Sequence, residues 1–149
     1  MKLSTKGRYG LKAMFELALH YGEGPVVLRN IAESQDISEH YLEQLIAVLR
    51  KNGLATSVRG AQGGYLLNDD PKNITVGDVI RALEGDIAPS ECVLDENLGK
   101  CVKEDFCVTK NVWVKIRNSI NDVIDSITLQ DMVDDFIKIN GSKGYMYYI

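Results

Sequence analysis

The stretch that most constrains the fold is ISEHYLEQLIAVLRKNGLATSVRGAQGGYLL, in which a helical period passes directly into a glycine-rich turn. Tyr41, Leu42, Leu45, Ile46 and Leu49 recur at the three-to-four spacing of one buried helix face. His40, Gln44, Ala47 and Lys51 fall on the opposite face and stay polar or small. Ser38 stands where an N-cap is wanted and Gly53 where a left-handed C-terminal residue is wanted. Ala55 to Val58 and Tyr65 to Leu67 then read as two short strands. Between them lies Arg59-Gly60-Ala61-Gln62-Gly63-Gly64, whose glycines permit positive φ and close approach to a partner. A helix with an unburied polar face, beside a slim hairpin tipped by Arg59 and Gln62, suits a DNA duplex. Gln44 can reach an adenine edge in the major groove, and Arg59 a minor groove or phosphates.

Upstream, Ser4 caps a first helix whose core face is Leu11, Met14, Phe15, Ala18 and Leu19, ending at Gly22. His20 reads as a partly exposed residue near that helix's C-terminal end. The turn Gly22-Glu23-Gly24-Pro25 leads to a short helix from about Leu28 to Ser34, with Ile31 and Ala32 inward. Short helix, brief linker at Gln35-Asp36-Ile37 and longer helix make a helix-turn-helix, and the hairpin adds a wing. After a turn at Asp69-Asp70-Pro71, Thr75 and Asp78 form a capping box. The helix they start places Val79, Ile80 and Leu83 inward and stops at Gly85. Residues 1–85 are therefore expected to form a winged helix-turn-helix DNA-binding domain. Its candidate contacts are Arg29, Ser38, His40, Tyr41, Gln44, Arg50, Lys51, Ser57, Arg59, Gly60, Gln62 and Gly63.

A net charge of −4 argues against a nucleic-acid partner only until its distribution is read. Residues 1–74 carry nine Lys/Arg and eight Asp/Glu, while the remainder carry eight and thirteen. The first half can thus hold a basic face of Lys2, Lys6, Arg8, Arg29, Arg50, Lys51 and Arg59, with the acidic half turned away.

Residues 86–108 have no clear period and hold all three cysteines, Cys92, Cys101 and Cys107. An odd count without a secretory leader argues against a disulfide framework. Three thiolates on one loop suit an iron–sulfur cluster or zinc, and redox sensing by the thiols themselves stays open. A long helix from about Thr109 to Ile127 carries an apolar stripe of Trp113, Ile116, Ile120, Val123 and Ile127, together with Val112 and Ile124. Such a stripe calls for a partner, most simply a second copy. Residues 109–149 are read as the dimerisation helix and a C-terminal segment. In the latter, Thr128 and Asp131 start a helix through Ile139, and an aromatic tail at Tyr145-Met146-Tyr147-Tyr148-Ile149 is expected to dock.

KLSTKGRYGLKAM, the helix-and-hairpin segment quoted above, and a three-cysteine loop followed by a long apolar helix together resemble the IscR-type regulators. These are bacterial winged-helix repressors of the superfamily that also holds NsrR and CymR. The resemblance runs to about residue 135. It implies a homodimer on a roughly palindromic double-stranded operator, clasped through the long helix. In cluster-bearing members it further implies an iron–sulfur centre, two-iron two-sulfur ahead of four-iron four-sulfur, held here by Cys92, Cys101 and Cys107. The fourth ligand is unknown. The histidine that serves in IscR aligns with Lys110, whose ammonium has no lone pair for a metal. Relatives that take a carboxylate from the first helix of the partner chain would need one where Arg8 stands. Glu91, Glu104, Asp105, His40, a small thiol or water are the remaining donors. Without a cluster the resemblance implies a DNA-binding repressor governed by a protein co-regulator, a metabolic enzyme, as in CymR-like members.

Catalysis finds no support. The two histidines lie on separate helices, no glycine motif cradles a phosphate at a helix start, and no nucleophile–base spacing is recognisable. No apolar run approaches the ~20 residues of a membrane span, and the N-terminus has no signal-peptide block. The expectation is a cytoplasmic, mainly α protein with a small β-hairpin wing and a long C-terminal dimerisation helix, with no membrane partner.

Overall fold

The computed structural model describes residues 2–147, with side chains through residue 141. Helices α1 (Thr5–Leu19), α2 (Leu28–Gln35) and α3 (Glu39–Lys51) lead into strands β1 (Ala55–Val58) and β2 (Gly64–Leu67). Helices α4 (Val76–Glu84), α5 (Val108–Ser126) and α6 (Leu129–Tyr147) complete the order. This is a winged helix-turn-helix followed by two long helices.

The expected caps form. Ser4 accepts from the Lys6 amide and Ser38 from the Tyr41 amide, each at 3.2 Å. At α4, Thr75 and Asp78 exchange both capping-box bonds, at 2.9 and 3.0 Å. The turn from α2 to α3 needs a left-handed residue, and Asp36 supplies it at φ 54°.

Ala13, Met14 and Leu17 of α1, Ile31 of α2, Leu42, Ile46 and Leu49 of α3, and Val79 of α4 make the core. Gly10 lets α1 and α4 approach closely, since a Cβ there would lie 1.9 Å from Leu83 Cδ1. Leu129 and Val133 of α6 join the same core, so the residues after α5 return to the winged helix. The start of α6 is stitched to the start of α4 by Val76 N–H to Ile127 O at 2.8 Å and Leu129 N–H to Ile74 O at 2.9 Å. Helix α6 runs to Tyr147 rather than stopping at Ile139. The Asn140 side chain folds back on the Phe136 carbonyl at 2.9 Å within the helix, and neither it nor Gly141 breaks the turn. The aromatic docking expected of the tail concerns side chains outside the described residues.

Strands β1 and β2 pair antiparallel, from Ala55 opposite Leu67 to Val58 opposite Gly64. The α1–α2 connection adds an edge to this ribbon. Val26 N–H donates to Tyr65 O at 2.9 Å, and Tyr65 N–H to Val26 O at 2.8 Å. The hairpin is thereby pinned to the body.

Helix α5 is exceptional: none of its 19 residues is buried. It touches the rest through α4 and the cysteine loop. Among the described residues, no helix is long and apolar enough to cross a membrane.

Candidate nucleic-acid interface and cysteine loop

The outer face of α3 is open. His40, Gln44, Ala47, Arg50 and Lys51 are exposed, whereas Leu42, Leu45, Ile46 and Leu49 are buried beneath them. The Gln44 amide nitrogen lies 3.3 Å from His40 Nε2, and that one-turn contact holds the carboxamide against the helix with its oxygen unclaimed. Tyr41 is half-buried. Its ring meets Tyr9 edge-on at 6.0 Å and 81°, and its hydroxyl lies 3.2 Å from Thr5 Oγ1. Ser38 combines its capping bond with an exposed position at the entry to α3.

The wing projects beside this face. Ser57 is half-exposed on β1 opposite Tyr65, and Arg59, Gly60 and Gln62 are exposed at the tip. Gly60 takes φ +112°, open only to glycine, while a Cβ on Gly63 would lie 2.2 Å from Val58 O. A Cβ on Gly64 would meet Val26 O at 2.4 Å, so the pinning of the hairpin requires glycine. Arg50 and Lys51 line an open cleft with Thr56 and Asn68 between the end of α3 and β1.

Lys2, Lys6, Arg8, Arg50, Lys51 and Arg59 are all exposed, and among the described residues none has a carboxylate partner. Arg29 differs. Its Nε lies 3.5 Å from Glu39 Oε1, an exposed pair that solvent keeps weak. The other six side chains place positive charge at the start of α1, the end of α3 and the wing tip, alongside the exposed carboxylates of Glu39 and Glu43 on α3.

The cysteine loop is built from short 3₁₀ turns at Glu91–Val93, Asp95–Asn97 and Glu104–Phe106. Arg117 of α5 holds it, donating to Val93 O at 2.6 Å and lying 3.7 Å from Asp95. Cys92 and Cys101 line one open cleft with Glu91, Asn97 and Lys100. Cys107 instead stands at the N-cap position of α5, without a side-chain capping bond. Its thiol is held below the ordinary range, chiefly by the Thr109 hydroxyl at 3.2 Å and then by the Lys110 backbone N–H. Cys92 Sγ lies 3.2 Å from Ser90 Oγ. Three soft donors on one loop fit a sulfur-ligated cluster chemically. Cys107 lies outside the cleft that Cys92 and Cys101 share. Among the described residues no three His, Cys, Asp or Glu side chains meet in a metal-holding group. Lys110 pairs with Glu104, which occupies one of the acidic donors considered for a fourth position.

Several structural contributors escaped the sequence reading. Glu16, nearly fully buried, accepts from Ser34 Oγ at 2.5 Å and Gln35 Nε2 at 2.8 Å, fixing α2 on α1. Arg81 joins α4 to Asn121 and Asp125 of α5. Glu84 carries one legible signal: a carboxylate at the last residue of a helix opposes its own dipole and needs a partner.

An exposed polar recognition helix beside a glycine-dependent, cationic wing defines a winged helix-turn-helix regulator. The chain belongs to the Rrf2 family, described as iron-dependent transcriptional regulators, which it matches over residues 3–135. It is 47% identical over 149 residues to the HTH-type transcriptional regulator CymR of Bacillus subtilis, covering 100% of both chains. It is 44% identical over 135 residues to the HTH-type transcriptional regulator IscR of Pectobacterium atrosepticum, covering 91% of this chain and 80% of the relative. The solved structure of T. potens IscR superposes with a TM-score of 0.79 at 55% identity, covering 99% of this chain and 97% of that one. These relatives are named as regulators, not as enzymes.

Proposed function

We propose that the chain is a cytoplasmic, homodimeric, sequence-specific DNA-binding repressor. The observation that carries this is the open Gln44 face of α3 set beside the pinned, carboxylate-free Arg59 wing. In this reading α3 enters a major groove, Gln44 reads a base edge, and Arg59, Gly60, Gln62 and Gly63 follow the neighbouring minor groove. Lys2, Lys6, Arg8, Arg50 and Lys51 neutralise phosphates and set register. Helix α5, none of whose residues is fully buried within one chain, gives its Trp113, Ile116, Ile120 and Val123 stripe, with Ile127 just past its end, to a second copy.

The same reading assigns the loop as the sensor, with Cys92, Cys101 and Cys107 as the residues that would hold an iron–sulfur cluster. When bound, that group supplies a charge and a loop geometry that respond to oxidants and iron supply. The chain's own part is to present three thiolates and to tie the loop to α5 through Arg117. Anaerobic reconstitution tests this. Visible charge-transfer absorption that disappears in a Cys92/Cys101/Cys107→Ser variant is expected, and a colourless, iron-free product removes the cluster.

One observation favours a second reading, regulation by a protein co-regulator without a cluster. Lys110 and Glu104 already neutralise one another in the segment that carries Cys107, so neither side chain is free to serve as a fourth ligand. Recovery of one stoichiometric enzyme from lysate on the cysteine-free variant supports it, and recovery of none, alongside bound iron in the wild type, rejects it.

A further inference from the structure

We infer that Glu84 is a positioning residue for DNA binding, its carboxylate fixing the first turn of α1 and, through that turn, the entry of α3. This rests on the regulator reading above and deepens it. A single oxygen, Oε1, accepts the Ser4 backbone N–H at 3.0 Å, the Gly7 backbone N–H at 3.0 Å and the Ser4 hydroxyl. The same hydroxyl accepts the Lys6 N–H at 3.2 Å. Ser4 and Glu84 together satisfy three of the donors that an α-helix leaves open at its start, the N–H groups of Ser4, Lys6 and Gly7. At the end of α4 the charge of Glu84 opposes its own helix, but it faces the positive end of α1, where a carboxylate is favoured.

The turn so held is the one that meets the recognition helix. Thr5 and Tyr9 both contact Tyr41, and Tyr41 lies in the first turn of α3, its N–H bound to Ser38 Oγ at 3.2 Å. Lys6 and Arg8 ride on the same stretch of α1, with Lys2 just before it. Because the protein's own carboxylate fills the α1 N-terminus, phosphate contact there falls to these side chains. One helical turn earlier on α4, Arg81 donates to Asn121 of α5 at 3.0 Å and pairs with Asp125. The last turn of α4 thus grips α5 with one side chain and the DNA face with another. Glu84 is thus the polar link from the helix that holds α5 to the turn that meets α3.

Glu84→Ala and Glu84→Gln test this on a short duplex recovered from a random library by the wild-type chain. Affinity is measured across salt concentrations, with thermal unfolding alongside. The Ala variant is expected to bind about tenfold more weakly, with a log K against log salt slope shallower by about one. The Gln variant keeps the acceptor oxygen and stays within about threefold. A residue that only stabilises the fold would lower the melting temperature but leave the folded protein's affinity and salt slope unchanged, and that result overturns the inference. Gly7→Ala gives an independent arm if Glu84→Ala fails to fold. Its Cβ would lie 2.9 Å from Glu84 Oε1 and displace that flexible carboxylate, while raising helix propensity. Weaker binding from this helix-favouring change supports the inference, and wild-type binding contradicts it. A wild-type chain that enriches no duplex overturns the regulator reading as well; a binding wild type with unaffected variants overturns the Glu84 assignment alone.

Discussion

At the scale of single residues, Arg59 is the plainest lever on binding, exposed at the wing tip without a carboxylate partner among the described residues. Arg59→Ala is expected to weaken binding to the preferred duplex by about 1–3 kcal/mol, and unchanged affinity in an anisotropy titration removes the wing tip from the interface. Gln44→Ala has a different signature. With its carboxamide held against His40, Gln44 is set to read one base, so the variant should relax preference at one position and spare non-specific affinity. Equal weakening on every duplex would show that it reads no base. Cys107 offers a pH test. Donors from Thr109 and the Lys110 backbone favour its thiolate, so the metal-free protein should be alkylated there with a rate midpoint below that of an ordinary thiol. Removing the hydroxyl with Thr109→Ala should move that midpoint upward. A midpoint at or above the ordinary value rejects the hydrogen-bonded thiolate.

At the scale of elements, the wing and α5 face opposite demands. The wing needs its body contact, and Gly64 allows it by bringing Val26 against Tyr65. Gly64→Ala is therefore expected to lower stability by roughly 1–3 kcal/mol and to weaken DNA binding, both read from denaturant melts and titrations. Helix α5 needs another surface altogether. An Ile120→Asp change should yield monomers in sedimentation while leaving the winged helix folded, since no α5 residue is buried within one chain. A dimer that survives it would place the contact elsewhere. What was legible in the sequence follows from range. The face of α3, the Ser38 cap and the Thr75/Asp78 box are set by residues within a turn or two of one another, which periodicity and capping chemistry expose. Glu84 on Ser4, Arg81 on Asp125 and Val26 on Tyr65 are distant pairings that only the tertiary fold brings together. The cysteines lie between these cases. Their confinement to one loop was plain, but the contact of Cys107 with the Thr109 hydroxyl was not, because it depends on where α5 begins.

At the scale of the whole molecule, the contacts form a continuous mechanical line. Arg117 ties the cysteine loop to α5, Arg81 ties α5 to α4, and Glu84 ties α4 to the turn that meets α3. The proposed dimer places two such lines back to back, with two recognition helices facing one duplex. Charge is consistent with the arrangement, since the excess of Asp and Glu lies after residue 74, outside α3 and the wing. Sequencing duplexes selected from a random library by the wild-type chain tests this most directly. Inverted repeats with half-site centres about one helical turn, or a multiple, apart are predicted. A single unpaired half-site, or no enriched sequence at all, would contradict it.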